Sequence, residues 1–250
     1  VSKSLVGTLK VLLYILLLLV ITVSFLFLGI LHGIIKNSPD INDVSIVPSS
    51  YSTTVYDINN KQIAKLITSG SNRIKVSLDQ VPVHLRWAFI DTEDARFYEH
   101  NGIDIQGIGR AALIAVTTMH ATEGASTLTQ QVLKNNVFTD WTSENNFISS
   151  LKRKIQEQYL ALQLEKVTSK DTILEAYLNT INLGSNTLGV QAASLRYFNK
   201  DVSKITISES GVIAAITQNP SFYDPIINPK NNAKRRKKIL KNMRDAGHIT

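Results

Sequence analysis

The chain has 250 residues, enough for one sizeable folded domain plus an anchor, and its length calls for no second folded unit. Its 27 Lys and Arg against 20 Asp and Glu leave a formal charge of +7, which suits a phosphate-bearing partner: nucleic acid, anionic lipid or a pyrophosphate substrate. It has no cysteine, which excludes a disulfide scaffold, a thiolate zinc site and a cysteine nucleophile.

The first predicted element is a membrane span. Val11 to Leu31 contain no charged or amide side chain and are almost all Leu, Ile, Val and Phe. As a helix rising 1.5 Å per residue, such a run reaches roughly 30 Å, the thickness of a bilayer's hydrocarbon core. A cleaved signal peptide has an apolar region of about 7 to 15 residues and a small-residue cleavage site. Here the run is longer and continues into Ile34, Ile35 and Lys36, so residues 11–35 are expected to form one uncleaved transmembrane helix. Lys3 and Lys10 precede it; the positive-inside rule then makes residues 1–10 a cytoplasmic tail and places everything after Lys36 outside, where nucleic acid is not the expected partner.

Residues 36–52, polar and carrying Pro39, Pro48 and a Ser-Ser pair, read as a linker, and residues 53–250 as one domain. Thr53 to Tyr56 and Gln62 to Ile67 flank Asp57-Ile58-Asn59-Asn60, the pattern of a short β-hairpin. After Pro82 the pattern becomes helical, with Leu85, Ala88 and Phe89 on one face and an end near Glu93. Ile103 to Thr122 is apolar, with Ile105, Ile108, Leu113, Val116 and Met119; buried core is the default reading, and a surface dipping into the bilayer is the sharper one. Ile148, Leu151, Ile155, Tyr159 and Leu162 mark the buried stripe of another helix. Thr168-x-x-Asp171 and Thr206-x-x-Glu209 have the form of capping boxes, and a last helix spans Asn231 to Ala246 and stops at Gly247. The domain is therefore mainly α.

Three clusters carry residues suited to chemistry. Glu93-Asp94-Ala95-Arg96-Phe97-Tyr98-Glu99-His100-Asn101-Gly102 gathers acids, a base and aromatics at a helix end, although ion pairs at a solvated helix end would give the same composition. Gly124-Ala125-Ser126-Thr127-Leu128-Thr129-Gln130-Gln131 places a flexible Gly, hydroxyls and amides before a helical stretch. Ser126 is expected to cap that helix, whose free N–H groups would face an anion; an ordinary capped surface helix is the alternative. On the helix from Phe147 to Lys166, Arg153 and Glu157 lie one turn apart with Lys154 beside them, opposite the apolar stripe, as they would on a plain salt-bridged face too.

In order and approximate spacing these clusters resemble the family 51 glycosyltransferases, which comprise monofunctional peptidoglycan glycosyltransferases and the N-terminal domain of class A penicillin-binding proteins. Glu93-Asp94 with Phe97, His100 and Gly102 resembles the first family motif, Gly124 to Gln131 the second, and Arg153-Lys154-x-x-Glu157 the third. Tyr177-Leu178-Asn179, Gly184, Gly189 and Ala192-Ala193 resemble the fourth, and Ala214-Ala215, Pro220, Tyr223, Pro225, Pro229 and Arg235-Arg236 the fifth. The likeness runs from the hairpin to the C-terminal residues. Ala125 in place of a second Gly, Ser149 in place of an Arg, and a long stretch from Thr139 to Asn146 depart from the pattern.

The resemblance implies a lysozyme-like glycosyltransferase domain behind a single transmembrane helix, on the outer face of a bacterial cytoplasmic membrane. It implies polymerisation of lipid II into β-1,4-linked glycan, with inversion at the MurNAc C1 and release of undecaprenyl pyrophosphate. Glu93 would be the base and Glu157 a second catalytic-site carboxylate that orients Arg153 and Lys154, its first-ranked role, or interacts with the donor's departing group. Asp94, Phe97, Ser126, Thr127, Gln130, Gln131, Lys134, Arg153, Lys154, Tyr177 and Asn179 would line the substrate, and His100 would be a hydrogen-bonded packing residue. No cofactor is required, and a divalent cation on the donor pyrophosphate is compatible with the scheme. The implied partners are lipid II, the growing strand, membrane lipids and other proteins of cell-wall synthesis and division. Two rivals are less well matched: a lysozyme-like glycan-cleaving enzyme needs no pyrophosphate cradle such as Ser126 and Arg153-Lys154, and a non-catalytic scaffold needs neither Glu93 nor Glu157. Residues 246–250 resemble the point where class A penicillin-binding proteins continue towards a transpeptidase domain. Ser149-x-x-Lys152 and Ser143-x-Asn145 match that domain's short motifs by coincidence, since they crowd into the helix region just described.

Overall fold

The computed structural model describes every residue except 1, 2, 49, 68, 69, 119–123, 139, 140, 142, 143 and 145, so Met119, Thr139, Ser143 and Asn145 lie outside the described residues. The fold is mainly α, as the sequence predicts. Helix α1 runs Lys3–Lys36, a two-stranded antiparallel hairpin follows (β1 Thr53–Tyr56, β2 Gln62–Leu66), and eight labelled helices come after it. These are α2 Val83–Glu93, α3 Ile105–Thr118, α4 Leu128–Asn136, α5 Phe147–Val167, α6 Lys170–Thr180, α7 Val190–Phe198, α8 Ile207–Ala215 and α9 Pro229–Asp245.

Helix α1 contains a window of mean hydropathy 3.0, none of it buried against the rest of the protein, and is long and apolar enough to cross a membrane. Its C-terminal end is fastened to the domain. Gln156 Nε2 on α5 donates to Ile34 O (3.2 Å) and Asn37 O (3.0 Å), supplying partners to carbonyls that a helix end leaves open.

The core is built from α2, α4, α6 and α8. Leu85, Ala88 and Phe89, the expected face of α2, are fully buried, and Phe89 meets Tyr177 of α6 edge-on with ring centroids 5.7 Å apart. Behind α9 the chain folds back so that His248 stacks on Trp87 at 3.6 Å and its Nδ1 lies 2.8 Å from Asp91 Oδ2, bracing α2 from outside. Thr206 and Glu209 form the predicted capping box of α8, and Gly247, at φ +81°, follows the end of α9.

Several expectations need correction. The cap of α6 is Ser169, which accepts from Thr172 N, whereas Thr168 closes α5, so that helix boundary falls one residue later than the Thr-x-x-Asp spacing implied. On α5 the expected stripe is not the buried one: Ile148, Leu151 and Leu162 are exposed, while Gln156, Glu157, Leu160, Ala161 and Leu164 are buried. The helix turns its charged side inward because its neighbours there are α1 and the polar cleft described below. The default expectation for Ile103 to Thr122 also fails. Of α3 only Gly107 is buried, and Ile105, Leu113 and Val116 are 79%, 64% and 74% exposed. An apolar face of this kind on a helix without core neighbours fits contact with a bilayer or another apolar partner.

Candidate active site

The site begins where α2 stops. Glu93 is its last helical residue, and Asp94 turns the chain away with φ −159°. Asp94 is 6% exposed and accepts from His100 Nε2 at 2.9 and 3.0 Å and from Leu128 N at 2.9 Å, the first helical residue of α4. Gly102 N donates to His100 Nδ1 at 3.2 Å, which leaves the ring proton on Nε2 facing the carboxylate. His100 is thus a hydrogen-bonded strut between Asp94 and Gly102. Gly102 has φ +92°, and a Cβ there would sit 2.5 Å from Ala161 O, so the loop closes onto α5 only with glycine at this position. Phe97 is fully buried under the loop, a burial that stabilises by roughly 1.5–3 kcal/mol.

Helix α4 reaches both sides of the cleft. Its N-cap is Thr127 rather than Ser126, because the helix starts at Leu128: Thr127 Oγ1 accepts from Gln130 N (3.2 Å) and donates to Gly102 O (2.8 Å). Ser126, freed from capping, accepts from Lys154 Nζ at 2.8 Å. On the following turn Gln131 Nε2 donates to Glu93 Oε2 at 3.1 Å. The other oxygen of Glu93 accepts from Thr217 Oγ1, in the turn after α8, at 2.5 Å. Glu93 itself stays partly open to solvent.

Across from Glu93 lies a charged group on α5. Glu157 is completely buried; Arg153 Nη1 donates to its Oε1, and Lys154 Nζ lies 2.9 Å from its Oε2. Arg153 Nε also meets Glu144 Oε2 at 2.9 Å. A buried carboxylate between two cations fixes where those cations stand, and removing the less exposed one, Arg153, would cost about 3–5 kcal/mol. Lys134, one turn beyond Gln131, lies over the Trp141 ring at 4.3 Å. Burial lowers its ammonium below the ordinary lysine range; Glu157 and Glu93 oppose the shift, and Lys154 and Arg153 add to it. Lys134 therefore stands within electrostatic reach of both Glu93 and the α5 cluster.

Other expected substrate residues are placed elsewhere. Asn179 spends its amide on the backbone, accepting from Val76 N (2.9 Å) and donating to Val76 O (2.8 Å). Tyr177 is fully buried and its hydroxyl has no hydrogen-bond partner; burial, with Glu93 and then Asp94 nearby, pushes that hydroxyl well above the ordinary tyrosine range. With Phe97, Thr127 and Gln130, also buried, these side chains frame the site and do not reach into it. Glu157 is likewise buried, and its contacts are with Arg153 and Lys154. Among the described residues no group of three or more His, Asp or Glu side chains lies together in a way that could hold a metal ion. Sequence reading missed Thr217, whose partner lies 124 residues away and whose turn carries no local mark of it. It also missed Trp141 and Glu144, in a stretch singled out only for its length.

A family model described as Transglycosylase matches residues 59–244. Penicillin-binding protein 1A of Clostridium novyi is 41% identical over 232 residues, covering 89% of this chain and 26% of that protein. Penicillin-binding protein 1F of Bacillus subtilis is 40% identical over 233 residues, covering 93% of this chain and 31% of its own. A crystal structure of penicillin-binding protein 1A from Haemophilus influenzae overlaps 82% of this chain and 20% of its own, with TM-score 0.44 and 24% identity. The chain spans about a quarter to a third of the length of the curated relatives it matches.

Proposed function

The chain belongs to the transglycosylase family, and on that premise we propose that it is a peptidoglycan glycosyltransferase that joins lipid-linked disaccharides into β-1,4-linked glycan. The supporting observation is the reach of α4. Gln131 on that helix holds the carboxylate of Glu93, and Ser126 just before it holds Lys154, so one short segment ties the candidate base and the cationic cluster together.

In this scheme the 4-hydroxyl of the acceptor sugar attacks C1 of the donor. A sugar hydroxyl does not ionise at neutral pH, so Glu93 takes its proton as the bond forms. The C1–O bond breaks on the opposite face, configuration inverts, and both electrons leave with undecaprenyl pyrophosphate. Lys134, Arg153 and Lys154 receive the charge that grows on that group, Arg153 as a fork and the lysines as point charges. Glu157 holds Arg153 and Lys154 in place. The scheme calls for no cofactor; a divalent cation arriving on the donor's own diphosphate would add to the charge these residues supply.

Helix α1 as a single-pass anchor, with residues 1–10 cytoplasmic and residues 53–250 outside, sets the cleft beside the membrane that carries such a substrate, and the exposed face of α3 fits the same surface. Membrane lipids and other proteins of wall synthesis and division would be its neighbours there. Incubating the detergent-solubilised chain with labelled lipid II tests the reaction. Uncut polymer with release of undecaprenyl pyrophosphate is expected. Soluble muropeptides released from glycan would instead indicate a lysozyme-like hydrolase, and no product at all a scaffold.

A further inference from the structure

Glu93 has two hydrogen-bond donors, and they differ in what they offer once its charge is gone. Gln131 Nε2 has hydrogen only to give. Thr217 Oγ1 lies 2.5 Å from Glu93 Oε1 and also 3.0 Å from Ala214 O, the carbonyl three residues back in its own turn. A hydroxyl has one hydrogen, so these two acceptors compete for it. The turn that carries Thr217 is itself held: Arg235 Nε donates to Ala215 O at 3.1 Å, with the guanidinium 5.3 Å from the centre of the Tyr223 ring.

Resting on the glycosyltransferase reading above, we propose that Thr217 is the positioning residue of the base: its hydroxyl fixes the Glu93 carboxylate for proton abstraction, then turns to Ala214 O when the proton has been taken. A hydrogen bond to a carboxylate is stronger than one to a neutral carboxyl, so Thr217 grips Glu93 most firmly before the proton is transferred. When the acceptor's hydroxyl proton moves to Glu93, the oxygens become poorer acceptors. The Thr217 hydrogen then has Ala214 O within reach, and no donor is left unpaired. Among the described residues, Lys134 from α4 and Tyr177 from α6 are electrostatically coupled to Glu93, and neither offers this exchange of partners.

Thr217→Val keeps the branched shape and removes the hydroxyl, whereas Thr217→Ser keeps the hydroxyl. For lipid II polymerisation, Thr217→Val is expected to lower kcat by about 10- to 100-fold with KM changed less than about threefold. Thr217→Ser should stay within about threefold of the wild type, as expected for retention of the one charge-assisted bond. Wild-type kcat in Thr217→Val, or equal losses in the two variants, would overturn the proposal while leaving the glycosyltransferase reading intact. A second measurement is independent of turnover. In protein labelled with carboxyl-13C glutamate and held at one pH, the signal that disappears in Glu93→Gln should move in Thr217→Val and stay in place in Thr217→Ser. A signal unmoved in Thr217→Val would overturn the proposal even if no polymer is made.

Discussion

Lys154 Nζ donates to Ser126 Oγ at 2.8 Å, and through that bond the residue before the α4 cap is tied to α5. The same lysine lies 2.9 Å from buried Glu157, so its position is set from two sides while 40% of its side chain remains exposed. Arg153 shares Glu157 but is only 12% exposed. The pair thus divides the work: Lys154 is the more accessible cation, and Arg153 the more structural one.

That division predicts different outcomes for the two alanine variants. Lys154→Ala should lose turnover by at least about 10-fold with little change in thermal stability, because 40% of its side chain is exposed and solvent screens that pair. Arg153→Ala should lose both, since Glu157 would be left buried with one cation, at a cost of about 3 kcal/mol or more. Measuring Tm and kcat/KM for both checks this; equal stability losses would contradict it.

Lys134 sets an alkaline limit. Its ammonium, lowered chiefly by burial, sheds its proton at a lower pH than an exposed lysine would. The charge facing the leaving diphosphate is complete below that point and lost as pH rises through it. Lys134→Arg keeps its charge throughout the range, since guanidinium ionises above about 12. The variant should be slower by a few-fold, because a fork replaces a point charge, yet hold its kcat/KM to higher pH. Identical alkaline limbs in variant and wild type would remove Lys134 from the site.

Helix α3 should lie against lipid. The chain has no cysteine, so a dye can be placed at one chosen position. An environment-sensitive label on Leu113→Cys should report an apolar surrounding in vesicles, whereas one on Ile58→Cys, a residue 99% exposed in the hairpin turn, should report water. The same emission at both sites would return α3 to an aqueous surface.

The sequence carried the periodic parts of this fold well. β-Branched runs around a turn, helical spacing and cap residues were enough to place the hairpin, α2 and the Thr206 capping box, because each depends on residues a few positions apart. Failures arose where tertiary neighbours outrank local pattern. On α5, Ile148 and Leu162 look like a core stripe, but the partners of that helix are a membrane anchor and a polar cleft, so Glu157 is buried instead. On α3 the apolar residues have no core to enter. Within the site, type and order pointed to Glu93, Arg153 and Lys154. Whether a residue such as Asn179 meets substrate or Val76 depends on a contact between residues 103 positions apart, which no local spacing records.

The most direct test of the account is polymerisation of labelled lipid II by Glu93→Gln beside the wild type, with binding of the same substrate measured on both. Glu93→Gln keeps the shape that Thr217 and Gln131 enclose while removing the base. The account predicts polymer reduced by at least about 100-fold, with lipid II binding and the fold's Tm retained. Polymer formed by Glu93→Gln at a rate near that of the wild type would contradict it.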